Sequence, residues 1–161
     1  VGLLLGYIVL LPGGVILISR WMTGVEIAHL WAGMGLILLQ GLILLSLSLA
    51  GGTRLTTMAN GALAFMLYGI AFLGSWIEQI GALFENETAV QIGIITSLIM
   101  PSEALWRKAL VLFQPNLGNT PMVSGPFAVA SQPSDLMIGY AIVYMLVLLA
   151  LALYSFSTRD L

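Results

Sequence analysis

The sequence lacks cysteine altogether, holds one histidine, and carries five Lys or Arg against seven Asp or Glu in 161 residues. The absence of cysteine excludes disulfides, thiolate metal sites and a cysteine nucleophile. The shortage of charge excludes more. Charged residues make up 7 % of the chain, against about 25 % in a soluble domain. That is too few to coat a water-facing globule, and a soluble enzyme or a disordered tail is ruled out with it. Five scattered basic residues cannot follow a phosphate backbone, so a nucleic-acid partner is excluded. A lone histidine, with no paired carboxylates around it, leaves no Ser-His-Asp grouping and no acid–base pair, and the chain reads as a non-enzyme. No Gly-x-x-x-x-Gly-Lys-Ser/Thr occurs, so the chain does not hydrolyse ATP itself. The apolar start at Val1 has neither a basic flank nor a small-residue cleavage site. It reads as the remainder of a longer protein and not as a signal peptide.

What is present is apolar: 60 % hydrophobic residues and a mean hydropathy of +1.05. About 20 apolar residues cross a bilayer. Residues 28–50, 58–77 and 136–156 are each that long and free of Asp, Glu, Lys and Arg. Residues 1–19 form a fourth uncharged stretch, interrupted by Pro12-Gly13-Gly14. In lipid such an interruption kinks a helix more often than it ends one. The expectation is an all-α membrane protein, one transmembrane domain of residues 1–161 with four spans and the lipid bilayer as its surroundings.

The connections differ in kind. Residues 20–27 are short and polar. Gly51-Gly52-Thr53-Arg54-Leu55-Thr56-Thr57 is a tight turn between antiparallel spans. Residues 78–135 form a long third connection. Within it, residues 89–100 are apolar but too short to cross, which points to a re-entrant or buried segment. Ser102 is a good N-cap and Glu103 suits the first turn of a new helix after Pro101. That helix places Leu105, Trp106, Ala109, Leu112 and Phe113 on one face and a Glu103–Arg107 pair on another, a pattern that lies flat at a membrane interface. Residues 114–133, rich in Pro, Gly, Asn and Ser, should be irregular. If residues 89–100 do not cross, Arg54 and Arg159 share one side, and Arg20, Arg107 and Lys108 the other. The positive-inside rule alone does not choose between the two orientations.

Several motifs occur in a recognisable order: Arg20-Trp21-Met22-Thr23-Gly24; Gly51-Gly52-Thr53-Arg54; Asn60-Gly61; Tyr68-Gly69-Ile70-Ala71-Phe72-Leu73-Gly74-Ser75-Trp76-Ile77-Glu78-Gln79-Ile80-Gly81; Asn86-Glu87-Thr88; Ile92-Gly93-Ile94-Ile95-Thr96-Ser97; Met100-Pro101-Ser102-Glu103-Ala104-Leu105-Trp106-Arg107; and the closing Phe156-Ser157-Thr158-Arg159-Asp160-Leu161. The succession resembles the C-terminal two-thirds of a bacterial type-2 ABC transporter permease, in the branch linked to multicopper-enzyme maturation. The resemblance implies that the four spans are the third to the sixth of six. It implies a cytoplasmic C-terminus in the bacterial inner membrane, an extracytoplasmic segment over 78–135, a second permease chain as partner, and separate ATP-binding cassette subunits that drive export. A different class of reading stays open: a non-catalytic accessory subunit of a larger respiratory or photosynthetic membrane complex.

Four residues are candidate functional positions. Glu78 and Gln79, beside Trp76, end the third span. An acid at that depth either lines a transport path or reaches headgroup water, with Trp76 as interfacial anchor. His29 is either a weak pigment or haem ligand or an interfacial histidine bonded to Glu26 or water. Glu85 and Glu87 lack a nearby His or Asp and read as solvated rather than as a metal site. No cofactor and no metal are expected. Gly2 with Gly6, and Ala28 with Ala32, are small-xxx-small pairs suited to helix packing.

Overall fold

The computed structural model describes residues 2–23, 29–113 and 132–158. Six helices follow one another: α1 (Gly2–Thr23), α2 (Leu30–Gly52), α3 (Thr57–Leu83), α4 (Glu87–Ile99), α5 (Ser102–Phe113) and α6 (Leu136–Ser157). No strand occurs among the described residues. Backbone N–H and C=O groups in hydrocarbon must bond within their own segment, and a helix does this without a neighbour. Three helices, α2, α3 and α6, are long and apolar enough to cross a membrane; the number is four if α4 and α5 together count as one broken span. The chain is a multi-pass membrane protein. Helix α1 runs unbroken through Pro12 and, among the described residues, packs against α2 alone.

The local signals act where they stand. Thr56 caps α3 by accepting from the Ala59 N–H, and Asn86 caps α4 by accepting from the Ala89 N–H. Glu85, between them, has φ +52°. The Asn86 N–H reaches back to the Gly81 carbonyl at 2.8 Å, which closes the end of α3 in a Schellman turn with Glu85 in its left-handed position. At the α2–α3 turn, the Asn60 side chain donates to the Ser48 carbonyl and lies where Gly51 has no Cβ.

Helix α4 runs back along α3, and the two pack closely. A Cβ at Gly93 would lie 2.8 Å from the Gly74 carbonyl oxygen and 2.9 Å from the Glu78 Cα. At Gly74 it would overlap Thr96, and at Gly81 it would press on Ala89. Beyond Met100 the chain bends by 107° into α5. The residue before a proline avoids the helical region, and Met100 is extended, with φ −141° and ψ 98°. The carbonyls left bare there are met from α6: the Tyr140 and Tyr144 hydroxyls donate to the Leu98 and Ile99 oxygens at 2.6 and 3.0 Å. Helix α5 then lies against α2, with the Phe113 ring on Gly33. Ile43, Leu36 and Leu47 of α2 join Ala71, Met100, Leu105, Ala109 and Ala141 in the buried core.

Helix α5 differs from its expected setting. Ser102, Glu103, Arg107 and Ala109 are all buried, so the side that carries Arg107 is not a free polar face. The helix is held between α2, α3, α4 and α6, and its polar residues point into the protein.

Candidate functional site

The inner stripe of α3 is Ala71, Gly74, Ser75, Glu78 and Gly81, spaced by three and four residues as one face of a helix requires. Small residues along it let α4 and α5 come close, and Glu78 is the one long side chain among them. Glu78 is 4 % exposed and Arg107 3 %. The Arg107 Nη2 donates to Glu78 Oε2 at 2.7 Å. The pair therefore bridges α3 and α5 over the back of α4, where Gly93 packs against the Glu78 Cβ. A charge-assisted bond of this length is among the stronger kinds. It is what makes either charge tolerable at such burial.

A cavity of about 240 Å³ borders the pair, and Ser97, Gln132, Ser134 and Met137 complete its wall with Ile94, Ala104 and Pro133. More polar groups stand close by in sequence and burial. Ser75, Ser97 and Ser102 are 1 %, 3 % and 0 % exposed, and their hydroxyls have no hydrogen-bond partner among the described residues. The same holds for Glu103 Oε2 and for Arg107 Nε and Nη1. Tyr68 of α3 stands within electrostatic reach of the Glu103 carboxyl group. The junction of α3, α4 and α5 is thus a polar, charged interior inside a largely apolar bundle.

The residues singled out from sequence part company here. Glu78 lies in the site. Gln79 is only partly buried, and Trp76 is 41 % exposed and packs edge-on against Phe72, its ring centroid 6.2 Å away. Neither lines the cavity. His29 is exposed at the start of α2 and its side chain makes no cap bond; Glu26, its expected partner, lies outside the described residues. Glu85 and Glu87 are exposed, and no group of three His, Asp or Glu could hold a metal among the described residues. Arg107 reaches across to α3 and pairs with Glu78, while its charge also acts on Glu103 one turn before it. Arg107, which the sequence places on the polar face of an interfacial helix, is instead buried and paired with Glu78. The signal for its real place was the scarcity of charge itself: a rare cation in an apolar helix needs a partner.

No family model, curated protein or solved structure matches this chain.

Proposed function

We propose that this chain is a membrane-spanning permease subunit, or part of one, of an ABC-type exporter. It forms a translocation path with a second permease chain and is driven by separate ATP-binding cassette subunits. One observation supports the reading beyond the motif order. The helices α2, α3 and α6 enclose, between the last two, an apolar helix pair bent by 107°. The resemblance implies that the segment between the last two spans is extracytoplasmic, and α1 is then the first crossing helix of the four. We take the pair as re-entrant. Helices of 13 and 12 residues reach only about 20 and 18 Å, short of the roughly 30 Å of a hydrocarbon core. Phe113 ends the pair against Gly33 in the first turn of α2, the end of the bundle opposite the α2–α3 turn. The chain thus returns to the side it left. On this reading the α2–α3 turn and the tail face the cytoplasm of a bacterial cell, and the exposed turn at Glu85 lies on the extracytoplasmic side.

The test is mass spectrometry of the full-length protein purified from its native membrane. A co-purifying ATP-binding cassette subunit in about equal amount is the expected result. A redox or light-harvesting complex in its place overturns the exporter reading in favour of an accessory subunit.

A further inference from the structure

Arg107 has more hydrogen-bond donors than the protein uses. Its Nη2 serves Glu78, while Nε and Nη1 have no partner among the described residues, although the residue is buried. The hydroxyl of the equally buried Ser97 is in the same position. Both residues line the cavity of about 240 Å³. A buried donor without an acceptor costs about 1–3 kcal/mol, so the cavity has to hold oxygen atoms that accept from them. Where the cavity lies decides what supplies those oxygens.

The cavity separates α4 from α6. Among the described residues these two helices do not pack on each other. The Tyr140 and Tyr144 hydroxyls bridge them at the Leu98 and Ile99 carbonyls, and Ala104 and Arg107 of α5 contribute the wall between them. On the α4 side stands Ile94, which is exposed on an apolar flank one turn before the exposed Leu98. On the α6 side stand Gln132 and Ser134, both exposed. Helix α6 has 22 residues, about 33 Å, close to the roughly 30 Å of a hydrocarbon core. Residues 132–134, just ahead of it, therefore stand at the level of lipid headgroups. The cavity thus borders both an apolar, lipid-facing flank and the headgroup layer, and an amphiphile suits both.

At ~30 Å³ for each water-sized group, the cavity admits about eight of them: one phosphodiester with a short amino alcohol, and not a whole lipid. Phosphate oxygens are strong acceptors for the spare N–H groups of a guanidinium. The Arg107 charge is already met by Glu78 at 2.7 Å, which favours a headgroup with no net charge of its own. We propose that the cavity between α4 and α6 binds the headgroup of one zwitterionic phospholipid. Its phosphate accepts from Arg107 and Ser97, and its acyl chains run along the flank of α4 at Ile94 and Leu98. The site does not depend on the exporter reading.

Native mass spectrometry tests this on the full-length protein released from lipid nanodiscs of phosphatidylethanolamine and phosphatidylglycerol in equal amounts. One phosphatidylethanolamine per chain should survive activation that strips the other lipids. Ser97→Ala should weaken its binding by at least about tenfold, as loss of a hydrogen bond to a charged group does. Ser134→Trp, which puts a ring into the cavity, should abolish it. Leu151→Ala, at an exposed position in the far half of α6, should leave it unchanged. A wild-type chain that retains no lipid overturns the proposal, leaving water as the occupant, and this result needs no variant to fold. Retention of phosphatidylglycerol in its place overturns it too. So does a loss on Leu151→Ala equal to that on Ser97→Ala, or release of the lipid by inorganic phosphate, which marks a site for a free anion.

Discussion

A single rare residue can decide more than a long apolar run. Arg107 is one of five basic residues, and its removal breaks the buried ion pair with Glu78. Breaking a buried pair from one side costs about 3–5 kcal/mol. Arg107→Ala should therefore lower the unfolding free energy in detergent by that much. Lys108→Ala, whose partner Asp135 is 94 % exposed, should stay within about 1 kcal/mol. Denaturant titration followed by helicity separates the two. Glu85 offers the opposite sign. A left-handed conformation costs a non-glycine residue about 1–2 kcal/mol, and Glu85→Gly at φ +52° should raise stability by roughly 1 kcal/mol in the same assay. At this scale the sequence was half legible. That Glu78 needs a partner followed from its depth alone. The partner's identity did not, because helix periodicity relates residues three or four apart and Arg107 is 29 positions away. Within one helix, i and i+4 made Glu103 look like the natural mate.

The elements themselves were easier to read, since span length and the absence of charge are properties of contiguous sequence. The starts of α3 and α4, the stop at Pro101 and the apolar shortness of α4 all follow from residues that lie next to one another. What stayed hidden was which glycines matter. Gly2 and Gly6 carry the small-xxx-small spacing, yet a Cβ at either would meet nothing within 4 Å. The close approach falls on Gly74, Gly81 and Gly93, set by how α4 folds back on α3. Gly93→Ala places a methyl group against the Gly74 carbonyl and the Glu78 backbone, neither of which can rotate away. It should cost about 1–3 kcal/mol. Gly61→Ala, with open space around it, should be neutral or stabilising by up to about 1 kcal/mol through helix propensity. Thermal melts of the two variants in matched detergent measure the difference.

For the whole molecule, the end-to-end arrangement follows from contacts rather than from charge counting. Arg54 in the α2–α3 turn donates to the Ser155 hydroxyl near the end of α6 at 3.3 Å, so these two ends lie together. Arg159 lies outside the described residues. The 27 residues of α3 extend about 40 Å and carry the chain from that end to the exposed turn at Glu85. Single cysteines at 55 and 85 should label from opposite faces of sealed vesicles. Cysteine at 107 should resist aqueous reagent from both faces, since Arg107 is buried. Labelling of 55 and 85 from one face would remove α3 as a crossing helix. Among the described residues helix α1 packs against α2 alone, whereas α2 to α6 are cross-braced through α5. A tether pulling on the N-terminus should therefore extract α1 in a separate early step at low force. The remaining helices should then yield together at a higher force, as one fastened block.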